Sequence, residues 1–220
     1  LADDMGLGKT VMLLALIIQS KQERPSPKKE DAARPKATLV VAKLSLLPQW
    51  EDELKTKTSL SYLIYYKQPG TKIPTKEEME AVDVVVTTYG SIQGELSRKN
   101  PVLLACNWFR VILDEAHCIK NQKTLASKVC CSLKTKHRWC VSGTIIQNSL
   151  DDVFGIMKFL RHEPWCLPAF WKAAITKPMT SASDGGTAED QEAGMKTALD
   201  RVRRLLAPLM LRRTKDSVTK

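Results

Sequence analysis

The first ten residues, Leu1-Ala2-Asp3-Asp4-Met5-Gly6-Leu7-Gly8-Lys9-Thr10, constrain the fold more than any other stretch. Gly6 and Gly8 carry no Cβ, so the backbone there can approach an anion closely. The amides around them form an inward-pointing nest, and the apolar run from Val11 adds the positive N-terminal end of a helix. In such a loop Gly6, Leu7 and Gly8 turn their backbone toward phosphates. Lys9 neutralises the terminal phosphates and the Thr10 hydroxyl ligates Mg²⁺. The full G-x-x-x-x-G-K-[ST] form is not met, because Asp3 stands where its first glycine belongs. A glycine-rich turn before a core helix is the alternative for this stretch alone.

A second stretch, Val111-Ile112-Leu113-Asp114-Glu115-Ala116-His117, supplies what such a loop needs. A β-rich apolar run delivers two adjacent carboxylates at its C-terminal end, where a doubly wound sheet places its ligand chemistry. Asp114 is suited to hold Mg²⁺ and Glu115 to orient and deprotonate water. Asp-Glu after a strand is often only a solvated turn. Together with the Gly-Lys-Thr loop, the pair points to hydrolysis of a nucleoside triphosphate.

The 220 residues suffice for one sizeable α/β domain. Lys and Arg number 34 against 24 acids, a formal charge of +10 that favours a polyanionic partner. No run reaches the ~18 apolar residues of a membrane span, so no membrane partner is expected. The six cysteines include no Cys-x-x-Cys pair, so zinc is not suggested and reduced thiols are expected.

In chain order, Val11 to Ser20 is apolar nearly all round and reads as a buried helix. Residues 21–36 turn polar and proline-rich, a flexible linker. Ala37 to Ala42 reads as a buried parallel strand, followed by a helix capped by Ser45 with Pro48 in its first turn. Further strands are expected over 60–66, 82–88, 108–113 and 138–141, and helices over 91–98, 124–133 and 150–160. Residues 67–80 read as loop with about one helical turn. Residues 164–175 are aromatic-rich, residues 180–194 read as a flexible loop, and 195–211 as a long basic helix interrupted at Pro208. The five tryptophans are expected in the core. Strands alternating with helices imply an α/β fold: a doubly wound, mostly parallel sheet with helices on both faces.

Leu1 to Thr10, Asp114 to His117, and Ser142-Gly143-Thr144-Ile145-Ile146-Gln147-Asn148-Ser149-Leu150 resemble motifs I, II and III of SWI/SNF-type DNA-dependent ATPases of helicase superfamily two. Leu39 to Trp50 resembles motif Ia. Thr87-Thr88-Tyr89 resembles the DNA-contacting strand end that follows it, and Leu209 to Asp216 the segment closing the first RecA-like lobe. Asp3-Asp4 and the 164–178 region are similar to the subgroup containing helicase-like transcription factor.

The resemblance implies a P-loop NTPase lobe over residues 1–220, the first RecA-like motor lobe of an ATP-dependent translocase on double-stranded DNA. Its setting would be chromatin or DNA repair in the nucleus, with nucleosomes or repair factors as further partners. The catalytic residues would be Glu115, Asp114 and Lys9. Gly6, Leu7, Gly8, Lys9, Thr10, Asp114, His117, Ser142 and Thr144 would serve ATP, with Mg²⁺ on Thr10 and Asp114. Lys43, Ser45, Thr87, Thr88 and Tyr89 would touch the DNA backbone.

Several departures qualify that expectation. Ile145 and Lys43 replace prolines usual in the family. The second RecA-like lobe, with its transition-state arginine, is not among these residues. The strand feeding the phosphate loop is not seen either, and the chain reads as a lobe truncated at both ends. Hydrolysis in isolation is therefore expected to be negligible. A non-enzymatic DNA- or protein-binding fragment is the competing reading, and an RNA helicase of the DEAH type a weaker third.

Overall fold

The computed structural model describes residues 1–23, 35–66, 73–144, 149–180 and 187–218. Five strands form one sheet: β1 (Thr38–Ala42), β2 (Tyr62–Tyr65), β3 (Val84–Thr88), β4 (Asn107–Asp114) and β5 (Lys134–Val141). Their order is β2-β3-β1-β4-β5 and every pairing is parallel. The helices are α1 (Lys9–Gln22), α2 (Leu47–Lys57), α3 (Lys76–Ala81), α4 (Tyr89–Gly94), α5 (Val102–Ala105) and α6 (Leu125–Ser132). They continue with α7 (Asp151–Leu160), α8 (Pro168–Trp171), α9 (Lys177–Thr180), α10 (Ala188–Leu206) and α11 (Lys215–Val218). None among the described residues is long and apolar enough to cross a membrane.

The strands are hydrophobic on both faces because both faces are covered. Side chains alternate along each strand. Leu39, Val41, Val85, Val111 and Leu113 pack toward Met79, Ile92, Leu103, Val129 and Phe159 on α3 to α7. Val40, Ala42, Val84, Val86, Ile112 and Val141 pack toward Leu13, Leu14 and Ile17 of α1 and Trp50 and Leu54 of α2. The doubly wound architecture expected from the pattern is therefore present. A third cluster joins the outer side of α7 to Trp171, Ile175 and the Ala198, Val202 and Leu205 stripe of α10.

Local chemistry explains most boundaries and several departures from expectation. Thr124 caps α6 by accepting from the Ser127 amide. Ser45 caps nothing: it is exposed in a 3-10 turn over Leu44–Leu46, and α2 starts after Leu46 without a side-chain cap. Only Leu13, Leu14 and Ile17 of α1 are buried, and Val11 is 44% exposed, so the helix is one-sided rather than enclosed. The loop read over 180–194 gives way to α10 at Ala188, because Thr187 and Asp190 form a reciprocal capping box. That helix ends at Leu206, just before Pro208, where the interruption is expected. Most of the linker read over 21–36 lies outside the described residues, as do 181–186. Trp50, Trp108 and Trp171 are buried as expected, and all six cysteines are free.

Two features of the fold position the strand ends. The first residues lie along the outer edge of β5: the Leu1 nitrogen donates to the Cys140 carbonyl (2.9 Å) and the Ser142 amide to the Leu1 carbonyl (3.1 Å). On their other side the Ala2 and Asp4 amides donate to the carbonyls of Leu211 (2.8 Å) and Arg213 (3.1 Å). Gly155 of α7 backs the turn that follows β4. A Cβ there would collide with the backbone carbonyls of Ile119 and Lys120. Gly155→Ala is therefore expected to destabilise the protein by about 1–3 kcal/mol, despite its gain in helix propensity. Urea denaturation checks this, and an unchanged midpoint would show that the turn yields freely.

Candidate functional site

Gly6 and Gly8 both have positive φ, 88° and 73°, values that L side chains rarely adopt. Gly8 is the N-cap of α1. It offers no side-chain cap, and the first helical turn carries no acid. The N-terminal amides of this 14-residue helix are thus left without a competing anion. Nothing lies within 4 Å of where a Gly8 Cβ would stand. The Lys9 ammonium spans the loop, donating to the carbonyls of Asp3 (2.8 Å) and Asp4 (3.1 Å).

Asp3, read from the sequence as a departure from the glycine of the standard loop, is fully buried. One carboxylate oxygen accepts from the Arg213 amide (2.8 Å) and the other from Arg213 Nε (3.1 Å) and Nη2 (2.5 Å). These hydrogen bonds hold its carboxyl below the ordinary value, against the opposing effect of burial. Arg213 Nη2 also reaches the Met12 sulfur (2.7 Å), and Asp4 accepts from the Lys215 amide (3.2 Å). The glycine loop is thereby anchored to residues 210 positions away. Sequence reasoning missed this role. Its sole signal was an acid in a glycine's place.

At the end of β4, two core residues hold Asp114. Trp50 Nε1 donates to its carboxylate (2.9 Å) and the Tyr89 hydroxyl to its carbonyl (2.8 Å). Burial pushes the Asp114 carboxyl up. The Trp50 hydrogen bond opposes that, and Lys9 is near enough to favour the charged form as well. Glu115 follows at φ 53°, a left-handed conformation unusual for a non-glycine residue. Its amide donates to Asp114 Oδ1 (3.0 Å). His117 Nδ1 lies 3.0 Å from Glu115 Oε2, and Nε2 lies 2.9 Å from Lys43 Nζ.

The Ser142 hydroxyl donates to the Thr144 carbonyl (2.8 Å) and accepts from its amide (3.3 Å), forming a tight turn after β5. Gly143 packs beside Met5 of the glycine loop. Ile145 to Asn148, including the proline-replacing Ile145, lie outside the described residues. Lys9, Asp114, Glu115, His117 and Ser142 thus share the C-terminal edge of the sheet. The residues picked for DNA divide. Thr87 is fully buried and donates to the Tyr65 carbonyl (2.8 Å). Thr88 caps α4 by accepting from the Ser91 amide. The Tyr89 ring is buried beneath Asp114. Their side chains shape this edge from below, while Ser45 is exposed and Lys43 half-buried. An open groove of about 710 Å³ runs here, lined by Lys43, Thr88, Tyr89, Ser91 and Arg98 among others.

A family model described as the SNF2-related domain matches residues 1–220. The DNA repair protein RAD5B of Arabidopsis thaliana is 36% identical over 244 residues, covering 99% of this chain and 18% of that protein. The DNA repair protein rad8 of Schizosaccharomyces pombe is 35% identical over 238 residues, covering 99% and 20%. The solved Sulfolobus solfataricus SWI2/SNF2 ATPase core in complex with dsDNA superposes with a TM-score of 0.74 at 29% identity, covering 99% of this chain and 40% of that one. The chain thus spans about a fifth of the length of these curated relatives.

The Asp3 anchor has a testable pH signature. Its carboxyl is depressed below 3.8 in the folded protein, so its contribution is complete above that value and lost as pH falls through the folded one. The Arg213 side chain is 42% exposed, which screens part of the attraction. Arg213→Ala is expected to lower the thermal midpoint by on the order of 5 °C at neutral pH. The gap should shrink at acidic pH, as Asp3 takes up its proton and the charge that Arg213 pairs with is lost. Calorimetry at the two pH values checks this, and an equal gap at both would contradict it.

Proposed function

Because the chain belongs to the SNF2-related domain family, we propose that it is the first motor lobe of an ATP-dependent translocase on double-stranded DNA. The observation that carries this reading is the meeting, at one sheet edge, of a glycine loop opening α1 with the two acids ending β4. The Lys9 charge acts on the Asp114 carboxyl, which links the two halves electrostatically. The residues suit Mg²⁺ and a nucleoside triphosphate: uncapped helix amides, positive-φ glycines, a movable lysine and a desolvated carboxyl.

Gly6, Leu7, Gly8 and the first turn of α1 cradle phosphates through backbone amides. Lys9 exchanges its two loop carbonyls for phosphate oxygens, a stronger, charge-assisted contact. Thr10 and Asp114 hold the metal. ATP with Mg²⁺ supplies the bond to be cleaved and the metal's neutralisation of phosphate charge. Glu115 accepts a proton from the attacking water, and its constrained backbone fixes the direction of its carboxylate. His117 reaches Lys43 at the groove, Ser142 and Thr144 follow β5 on the other side of β4, and all three couple nucleotide state to DNA contact. Lys43 and Ser45 meet the DNA backbone, a contact without sequence preference that suits translocation along a duplex. Thr87, Thr88 and Tyr89 set the shape of that contact from beneath.

The relatives are DNA repair proteins, which supports a nuclear role on damaged or stalled duplexes, with repair factors or nucleosomes as partners. A second RecA-like lobe supplies the arginine that stabilises transition-state charge, an effect of roughly 10³–10⁵ in rate.

Titration with a fluorescent ATP analogue and Mg²⁺ tests the reading. Binding is expected, weakened at least about tenfold in Lys9→Ala. Turnover by these 220 residues should be negligible with or without duplex DNA. In a longer chain carrying both lobes, DNA-stimulated turnover should appear and fall by about 10²–10⁴ in Glu115→Gln. Nucleotide binding indifferent to Lys9→Ala, with turnover absent even when both lobes are present, would leave a non-enzymatic binding fragment.

A further inference from the structure

Lys43, His117 and Glu115 form a chain of contacts from the groove to the catalytic carboxylate. Lys43 stands at the junction of β1 and the 3-10 turn, in extended conformation. Its ammonium lies 2.9 Å from His117 Nε2. An ammonium has three donors and no acceptor, so Nε2 must present its lone pair. The ring proton then belongs on Nδ1. The other end of the ring agrees independently. Nδ1 lies 3.0 Å from Glu115 Oε2, out of line for a proper hydrogen bond and with no other hydrogen-bond partner among the described residues. A lone pair held there against a carboxylate would be repelled, whereas an N–H is attracted. Both neighbours therefore select the same tautomer.

We propose that Lys43 is a positioning residue: it fixes the His117 ring, which in turn restrains the Glu115 carboxylate, and a DNA phosphate in the groove competes for the Lys43 ammonium. This rests on the reading of Glu115 as the base and of the groove as the DNA face. Among the described residues, the cationic side chains lining that groove are Lys43 and Arg98. A phosphate oxygen forms a stronger, charge-assisted bond with an ammonium than an imidazole nitrogen does. Once Lys43 turns to phosphate, only the out-of-line contact with Glu115 still selects the tautomer, and the ring is no longer held from both ends. The restraint on Glu115 loosens, and its carboxylate is free to take a proton from water. Contact with the duplex is thereby read out at the base through two side chains, with no change in the sheet. The coupling needs no long path, because Lys43 and Glu115 end neighbouring strands, β1 and β4.

The imidazole ¹⁵N spectrum of the protein tests this directly. Lone-pair and protonated ring nitrogens resonate far apart, and there are three histidines, so His117→Gln assigns the signal. The free protein is expected to show His117 in one tautomer, with the proton on Nδ1. Lys43→Met should lose that single-tautomer pattern, and Lys43→Arg, a donor-only group of the same charge, should retain it. Saturating duplex DNA, with binding confirmed by fluorescence anisotropy, should move the wild-type spectrum toward that of Lys43→Met. Identical spectra in wild type and Lys43→Met would overturn the proposal, as would a bound duplex that leaves the His117 signal unchanged. A duplex that fails to bind would instead count against the DNA reading of the groove. The free-protein spectra would still decide whether Lys43 positions the ring.

Discussion

A carboxylate buried at the third residue is what the site at the sheet edge depends on. Asp3 has no exposed surface, and charges in such a position are tolerated only when paired and hydrogen-bonded. Arg213 meets that need through its amide and guanidinium. In doing so it aligns residues 211–213 beside the first residues, and these beside β5. Loop closure over so long a separation carries an entropic cost that grows only slowly with length, so a few directed hydrogen bonds can sustain it. The outcome is a glycine loop whose entry is fixed while Gly8 remains open.

The opposite side of the site is built from the core outward. Trp50 belongs to one hydrophobic layer and Tyr89 to the other, yet both end on Asp114, one at the carboxylate and one at the carbonyl. The acid is thus held from both faces of the sheet. Burial disfavours its charge, and Trp50 and Lys9 work against that. The electrostatic tension at Asp114 and the left-handed backbone at Glu115 lie on adjacent residues. A metal or a reacting water would draw on this preorganisation.

Much of this was legible in the sequence, because it follows from short-range rules. Unbroken apolar runs along Leu39 to Ala42 and Val84 to Val86 report two buried faces, and Gly6 and Gly8 report positive φ. Adjacent Asp114 and Glu115 after an apolar run mark a strand end. What escaped depends on partners distant in sequence or on competition between local caps. Nothing near Asp3 announces Arg213. Ser45 was a plausible cap, but the chain tightens into a 3-10 turn there. Thr187 and Asp190 outweighed the small, polar composition that had suggested a loop. Thr87 and Thr88 sit in a motif that suggests contact, yet their hydroxyls serve the protein's own backbone. Residue type at a strand end could not distinguish a side chain facing solvent from one tied inward.

If the glycine loop binds phosphate as proposed, its shape depends on the buried Asp3–Arg213 pair. Calorimetric titration of Mg²⁺ and a non-hydrolysable ATP analogue into wild type and Asp3→Ala tests it most directly, with circular dichroism confirming that the variant is folded. The account predicts affinity weakened roughly tenfold or more in folded Asp3→Ala. Equal affinity in the two proteins would show that the loop keeps its shape without Arg213, and would contradict the account.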